Sequence, residues 1–473
     1  MTDEGPPHDD TSSLAADPAT DPAVAPTPAA RATGHRPGVF GVVLLPGVAL
    51  WRRWPVVASL LFAAGVIAPF YALLLLFLRR NSIVTLLVQP NVLRVLALVA
   101  VAGLASRFIA VWLTADRLHR SEAQRRMRLH GSVAVAVLVL PTALGLYRMK
   151  QADDVLNNVF SDDRTAAQVT VASPELDPYA GEFRTVLLMG SDEGRDRLGL
   201  RTDSMIIAMV HVTSGRTALI SVPRNLVHIQ FPPGSVLDEA YPGGYDDDEG
   251  GLLNALYINV ENDPDLVEAL ETDSAAAGMN ALLQGLSYSM GITINDYLII
   301  NSCGFVEIVD AIGGVTITLD KELPMAAPMR CSNYHLPATI GPGPVYMDGT
   351  KALGYVRSRA ADSDYQRMER QRILIQTIAQ EIGFGDLLTN FGELADAIED
   401  NVHTSMTRDE ALDLLRVLQG HDTDLGSVGL VPPVFEPSEP DYVALKALMQ
   451  DIRRALAEGS PVADVLPTES STA

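Results

Sequence analysis

Three long apolar runs, at about 55–78, 92–114 and 131–147, constrain this 473-residue chain more than any other feature of its sequence. The first run has no charged residue, and the second contains Arg107, which is expected to face other helices or to reach the membrane interface. A helix of about 20 apolar residues spans the ~30 Å hydrocarbon core of a bilayer. The sequence therefore predicts an α-helical membrane module, residues 39–150, with about three transmembrane helices.

A fourth apolar stretch, 39–50, has only about twelve residues and is followed by Trp51-Arg52-Arg53-Trp54. It is too short to span, so the pattern favours an interfacial segment with an aromatic and basic anchor. We interpret the module as an anchor without chemistry of its own.

Charge is segregated along the chain. Residues 31–150 contain fifteen Lys and Arg but only two acids, whereas the whole chain has a net charge of −23. Five arginines lie in 115–130, and basic loops stay in the cytoplasm. The predicted localisation is therefore the cell membrane, multi-pass, with a disordered cytoplasmic tail (1–38) and the C-terminal domain on the extracellular side. An acidic chain also argues against a nucleic-acid partner.

Beyond the module the periodicity changes. Residues 151–182 indicate a polar stalk, and FRTVLLMG, SMIIAMVHV and RTALISVPR, from 183 on, indicate buried strands. Helices are predicted at 275–290, 304–314, 365–382 and 407–419, with strands at 292–302 and in VTITL. Strands that alternate with helices predict an α/β fold with a mixed central β-sheet flanked by helices. We assign 183–385 to the main α/β domain, 386–458 to its helical and strand extension, and 459–473 to a disordered tail.

Common catalytic signatures are missing: the sequence has no GxSxG, HExxH or GxxxxGK[ST] motif. Four consecutive acids at 246–249 lack the alternation of a calcium loop, and a solvated charge run is favoured. The notable feature is the placement of arginines at strand ends and in short polar motifs: Arg201, Arg224, Arg357, Arg359, Arg367 and Arg370.

These arginines suggest an anion site. Arg357 and Arg359 are two apart and would point the same way in an extended segment, while Arg367, Arg370, Gln371 and Leu374 share one helix face. Guanidinium groups bind phosphate oxygens bidentately. Asp192 and Asp203, at neighbouring strand ends, are the candidate Mg²⁺ ligands. The alternative is a set of surface ion pairs with a helix cap. Arg408, on the later helix, is expected to lie outside the cluster.

At these residues the sequence resembles the LytR-CpsA-Psr family of membrane-anchored cell-wall glycopolymer ligases. The matching stretches are TVLLMGSDEG, RTDSMIIAMVHV, ALISVPRN, GFVEIVDAIGGVTITL and MDGTKALGYVRSRAADSDYQRMERQRIL, in the family's order over about 183–385. The resemblance implies Mg²⁺ on Asp192 and Asp203. It implies pyrophosphate contacts from Arg201, Arg224, Arg357, Arg359, Arg367 and Gln371, and a prenyl tail in an apolar channel.

This chain departs from the family pattern at three points. Asn225 stands where the family usually has Asp, Leu252-Leu253-Asn254 replaces a motif with a basic residue, and three spans replace one. The first two departures bear on substrate choice and rate.

The resemblance implies a phosphotransferase with Arg201, Asp203, Arg224, Arg357 and Arg359 in catalytic roles. Its partners are a polyprenyl-pyrophosphate-linked glycan donor, a peptidoglycan hydroxyl as acceptor, and the membrane. The product is a phosphodiester, with release of polyprenyl phosphate. The alternative is a non-enzymatic polyprenyl-phosphate-binding sensor or cell-envelope regulator, and a pyrophosphatase is a weaker third.

Cys303 and Cys331 both lie in the predicted exported domain, where disulfides persist. A bridge between them is expected. The alternative is one buried free thiol and one loop thiol, and neither cysteine has the neighbours of a nucleophile.

The predicted topology can be tested by cysteine labelling of intact cells. A cysteine introduced by Glu122→Cys lies in the arginine-rich connection, so a membrane-impermeant thiol reagent should label it only after permeabilisation. Labelling of residue 122 in intact cells would show that the orientation is reversed.

Overall fold

The computed structural model describes residues 38–78, 90–118, 121–160, 179, 181–191, 202–246, 251–325, 336–359, 363–381, 397–398, 401–419 and 425–467. Three of its helices are long and apolar enough to cross a membrane, over Pro55–Leu75, Arg94–Ala115 and Ser121–Tyr147. They match the three apolar runs of the sequence.

The helical module contains α1 (Val39–Leu44), a 3₁₀ turn (Val48–Leu50), α2 (Pro55–Phe62), a π-helical turn (Ala63–Ile67), α3 (Ala68–Leu78), α4 (Pro90–Ala115) and α5 (Ser121–Val159). Val42, Val43 and Leu50 of the short N-terminal segment are buried among the longer helices. The segment therefore contributes to the module's core through partners on α4 and α5, and its expected interfacial position stays a prediction.

The last helix of the module continues further than the sequence indicated. α5 runs without interruption to Val159, through residues that we had assigned to a polar stalk. Lys150, Asp153 and Asp154 gave this part a polar appearance. A helix accommodates all three, because Lys150 and Asp154 are exposed to water and Asp153 pairs with Arg408.

The C-terminal domain is built on a six-stranded mixed sheet of order β10-β3-β2-β1-β4-β9. Its strands are β1 (Phe183–Ser191), β2 (Thr202–His211), β3 (Thr217–Val222), β4 (Asp296–Asn301), β9 (Val402–Thr404) and β10 (Leu425–Gly429). β1 pairs antiparallel with β2 but parallel with β4, so the predicted mixed sheet is confirmed. Two smaller pairs join β5 (Val315–Leu319) to β8 (Gly343–Met347) and β6 (Leu323–Pro324) to β7 (Thr339–Ile340).

The helices of this domain are α6 (Val236–Ala240), α7 (Leu253–Glu261), α8 (Pro264–Ala269), α9 (Ser274–Met290), α10 (Ser302–Ala311), α11 (Gly349–Arg357), α12 (Asp364–Glu381), α13 (Arg408–Gln419) and α14 (Tyr442–Glu458). The predicted helices correspond to α9, α10, α12 and α13. α9 begins where the Asp273 carboxylate accepts a hydrogen bond from the Ala276 amide, and it ends at Gly291 in the left-handed conformation.

The main core lies on one face of the sheet. Alternate residues of the strands, such as Leu187, Met189 and Ile207, pack there against α7, α9 and α14. The opposite face is covered by α10, α11 and α12, which form a smaller core with β5 and β8.

The C-terminal segment is ordered beyond the point that the sequence suggested. A 3₁₀ turn, Val462–Val465, follows α14, and Val462 is buried in the main core. The predicted disordered tail from 459 is therefore wrong as far as residue 467, because one apolar side chain docks against the sheet edge near Gly426.

The packing of α10 on α11 is close enough to require a glycine. A Cβ atom at Gly349 would lie 2.0 Å from the Val306 carbonyl oxygen, and the Gly349 amide donates to Asp310 Oδ1 at 2.7 Å. The contact fixes the start of α11.

Gly349→Ala should therefore lower the free energy of unfolding by about 1–3 kcal/mol, because the added methyl separates α11 from α10. Thermal unfolding of the detergent-solubilised chain measures this. Lys351→Ala, on the same turn, removes only a long ion pair to Asp348 (3.8 Å) and should stay near wild type. Equal melting temperatures for Gly349→Ala and wild type would contradict the close packing.

Candidate active site

An apolar cavity lies between the sheet and the helices that cover it. The floor of the cavity is formed by β4, β1 and β2. The pairing of these three strands aligns their side chains in two rows. The rows are Leu298, Leu188 and Ile206, and then Ile300, Gly190 and Ser204. Because side chains alternate along a strand, these residues face away from the main core.

The helices supply the other walls of this cavity, whose volume is about 580 Å³. Their apolar contributions are Phe305, Ile308 and Val309 from α10, Leu353 and Val356 from α11, and Leu374, Ile375 and Ile378 from α12. A space lined in this way suits an apolar chain.

Polar residues line the cavity at one end, which we call the mouth. Arg357, Arg359, Arg367 and Gln371 lie there with Ser204 and Asn301. The Ser204 hydroxyl donates to Gln371 Oε1 at 3.0 Å, which ties α12 to β2 across the cavity. Apolar walls with a cationic mouth are the arrangement that an anionic lipid requires.

One carboxylate organises the arginines. Asp364, at the first position of α12, forms ion pairs with Arg367 Nη2 (3.1 Å), Arg359 Nε (3.2 Å) and Arg224 Nε (3.5 Å). Arg367 is only 4% exposed, and a guanidinium so buried needs an acceptor. We had noted Asp364 only as a helix start. The available signal was its spacing of three residues from Arg367, which places both side chains on one side of a helix.

Arg224 lies in the loop after β3, and its side chain reaches the Asp364 carboxylate. The carbonyl oxygen of the same residue accepts a hydrogen bond from the Asn254 amide at 3.1 Å, which fixes the loop against the start of α7. Leu252 is the N-cap residue of α7, and it lies beside this contact in sequence. The two departures from the family pattern, Asn225 and Leu252, therefore both lie next to the contact between the β3 loop and the start of α7. We call this contact the junction.

Arg357 and Arg359 both line the mouth, as expected, but not by way of an extended segment. Arg357 is the last residue of α11, and Arg359 follows two positions later, after Ser358. The helix ends here, so two residues that would diverge on a continued helix both reach the cavity. A cation at a helix C-terminus is also favoured by the helix dipole.

Arg370 does not line the cavity. It is 8% exposed, and its guanidinium donates to the backbone carbonyls of Tyr355 (3.1 Å) and Ser358, while lying 5.9 Å from the centre of the Tyr355 ring. Burial raises the pKa of Tyr355 to about 12, so the ring stays neutral. The geometry gives Arg370 a role in holding the end of α11, and our expectation of a pyrophosphate contact has no support from its position.

The expected metal ligands fall largely outside the described residues. Asp192 and Arg201 are not described, and for Asp203 only the backbone is. Gly190 pairs with Ser204 and Ser191 with Thr202, so Asp203 is the extra residue of a register shift in β2. Such irregularities often redirect a side chain next to an active site.

One observation bears on an oxygen-ligand site at this place. Ser191 lines the cavity, and its buried hydroxyl has no hydrogen-bond partner within the described part of the chain. Ser191 precedes Asp192 and lies opposite the β2 irregularity. Hard oxygen donors of this kind fit Mg²⁺. Among the described residues, no group of three or more His, Cys, Asp or Glu could hold a metal, and the acids at 247–249 lie outside them.

Cys303, on the first turn of α10, is disulfide-bonded. Cys331 is the only other cysteine of the sequence and lies outside the described residues. Their pairing stays a prediction.

The sequence model of the LytR_cpsA_psr family matches residues 146–427, which is more than half of the chain. The chain therefore belongs to the LytR-CpsA-Psr family. Its fold, a mixed sheet flanked by helices, is the one expected from that membership.

Relatives with curated names are similar to part of this chain. A polyisoprenyl-teichoic acid–peptidoglycan teichoic acid transferase TagU from Oceanobacillus iheyensis is 28% identical over 234 residues, covering 49% of this chain and 61% of the relative. Biofilm regulatory protein A of Streptococcus mutans is 27% identical over 228 residues, covering 47% and 50%. The chain thus spans between half and about three fifths of the length of these relatives.

Solved structures show a weaker likeness. The crystal structure of B. subtilis TagV is 18% identical, covers 58% of this chain and 98% of its own, and has a TM-score of 0.41. The structure of TagT bound to LIIa-WTA is 16% identical, covers 62% and 96%, and has a TM-score of 0.41.

Asp364 competes with an added anion for the same guanidinium groups. Asp364→Asn removes one negative charge but keeps the side-chain shape, so inorganic pyrophosphate should bind about five-fold more tightly, or about 1 kcal/mol for a solvent-screened site. Titration calorimetry at low salt measures the affinity.

Asp413→Asn is the matched control. Among the described residues, Asp413 pairs with exposed Arg416 on α13 at 2.5 Å, and its loss should not change the affinity. Unchanged or weaker binding by Asp364→Asn would show that Asp364 does not occupy the anion site.

Proposed function

We propose that this protein transfers a glycopolymer from a polyprenyl-pyrophosphate carrier to a hydroxyl of peptidoglycan. The observation that carries the proposal is the continuity of the apolar cavity with the arginine mouth. Such a site matches a ligand with a long apolar tail and a charged head. The names of the relatives, which describe a polyisoprenyl-linked donor and a peptidoglycan acceptor, support the same chemistry.

The tail would lie along Leu188, Ile206 and Leu298, under the helices α10 to α12. The pyrophosphate would then sit at the mouth, where Arg357, Arg359 and Arg367 replace its lost hydration. Guanidinium forks suit this task because they bind two oxygens at once and stay charged at every working pH.

In the reaction, the acceptor hydroxyl oxygen attacks the phosphorus nearest the glycan. A P–O bond forms to the acceptor, and the P–O bond to the bridging oxygen breaks. That oxygen leaves with its electron pair on polyprenyl phosphate, and the hydroxyl proton passes to a base at the site. Negative charge grows on the bridging oxygen, so the arginines stabilise the transition state more than the bound donor.

Asp192 and Asp203 would hold Mg²⁺ beside Ser191. When bound there, the metal would neutralise phosphate charge and help to orient the donor. The protein's own contribution would be to hold these oxygen ligands next to Ser191 and the β2 irregularity.

We also propose that the three apolar helices place this domain on the extracellular side of the cell membrane, as a multi-pass protein. A membrane-bound donor is then confined near the site, which raises its effective concentration.

A second function, a non-enzymatic polyprenyl-phosphate-binding regulator, remains the alternative. The junction of Asn225 and Leu252 favours it, because a basic contact of the family is missing beside Arg224. The curated relative named biofilm regulatory protein A is consistent with a regulatory role.

Arg357→Ala and Arg359→Ala should each lower turnover by about 10²–10³, because each removes a preorganised charge from the departing phosphate. Asp203→Asn should abolish the response to added Mg²⁺. The measurement is release of polyprenyl phosphate from a short-chain donor, with and without Mg²⁺.

Arg416→Ala is the control, since Arg416 is exposed on α13 and pairs only with Asp413. Arg408, expected to lie outside the cluster, does not line the cavity, but it is buried and contacts α5. Turnover of the arginine variants at the control rate would refute the site assignment. Binding of the lipid without turnover by wild type would favour the regulator.

A further inference from the structure

The end of the last helix of the membrane module packs against residues that line the cavity. α5 runs from Ser121 to Val159. Its candidate membrane span ends at Tyr147, and the helix continues for twelve residues beyond it. At 1.5 Å per residue, this continuation rises about 18 Å beyond the span. A single helix therefore connects the bilayer to the domain.

A charged contact clamps this helix to the domain. Arg408 Nη1 of α13 lies 2.7 Å from Asp153 Oδ1 and 2.8 Å from Asn157 Oδ1. The two acceptors are four residues apart and thus share one face of α5. Arg408 is 9% exposed, and hydrogen bonds of a buried cation to a carboxylate are among the stronger polar contacts. The helix end is held in one position.

An apolar contact lies next to this clamp. Val159 is buried with Val402 of β9, and Phe160, Leu298, Ile300 and Ile308 pack against this pair. Leu298, Ile300 and Ile308 also line the cavity. β9 is the edge strand beside β4, with Val402 opposite Ile300. The end of α5 therefore packs against side-wall residues of the cavity that come from β4 and α10, at the edge of the sheet.

We propose that the end of α5, at Val159 and Phe160, is the portal through which the apolar tail of a membrane lipid passes between the bilayer and the cavity. This inference rests on the proposed function for the class of lipid, a polyprenyl phosphate. Its geometric basis is the apolar contact between the side wall of the cavity and the end of the helix that leads from the membrane. That helix end packs at the edge of the sheet, against β9.

The position of the lipid can be tested directly in the full-length chain. The photoreactive residue p-benzoylphenylalanine is placed at Phe160, and at exposed Asp154 on the same helix as control. The proteins are reconstituted in phosphatidylcholine vesicles containing long-chain polyprenyl phosphate. Crosslinking to the lipid at 160 but not at 154 is expected. Absence of a crosslink at 160, or equal crosslinking at both positions, would overturn the proposal.

A second measurement uses Arg408→Ala, which releases the clamp but touches neither the arginine mouth nor the cavity. Turnover of the vesicle-embedded long-chain donor should fall about tenfold, as expected when a tethered site loses its orientation. Turnover of a water-soluble short-chain donor should stay at the wild-type rate, which also shows that the domain is folded. An equal loss with both donors would mean a purely structural role and would refute the portal.

Failure of the proposed function gives a different result. A wild-type protein that releases polyprenyl phosphate from neither donor is not a transferase of this kind. The crosslinking at residue 160 still decides whether the lipid tail passes along α5.

Discussion

The need to neutralise buried arginines governs the arrangement of the site. Arg367 lies almost wholly out of water, and a guanidinium there is tolerated only with an acceptor. Asp364 provides that acceptor and at the same time gathers Arg224 and Arg359 from two other parts of the chain. The positions of the β3 loop, the end of α11 and the start of α12 all depend on this carboxylate. An anionic ligand that replaces it would find the three cations already assembled.

The sheet separates two environments by the alternation of its side chains. Residues on one face, such as Leu187 and Ile207, fill a closed core, whereas their neighbours Leu188 and Ile206 line an open cavity. Gly190 lies at the transition from apolar floor to polar mouth, where its missing side chain leaves room beside Ser204. One strand thus supplies stability and a ligand site from consecutive residues. This division explains why the apolar runs of β1 and β2 show no polar alternation in the sequence.

Much of the fold could be predicted because its signals are local. Apolar runs of fixed length marked the three membrane-competent helices, and β-branched runs ending in Gly or Pro marked β1 to β3. α7, α11 and α14 were missed, because these helices are stabilised by burial against distant strands. In addition, Gly354 within α11 and polar residues within α14 weaken the local pattern. The course of α5 past residue 150 was missed for a related reason. Its polar face is clamped by Arg408, more than 250 positions away in the chain.

The sequence by itself determined the class of this protein: a set of apolar helices, an acidic α/β domain and arginines spaced for an anion. It could not decide which of these arginines would meet. Arg357, Arg359 and Arg367 line the cavity, whereas Arg370, on what the sequence presented as the same helix face, turns to the backbone of α11. Only the tertiary structure separates them, because a guanidinium takes whichever acceptor lies within hydrogen-bond distance, and that choice is made by the packing of α12 on α11. The same holds for Asp364, whose role comes from three partners that only the folded chain brings together.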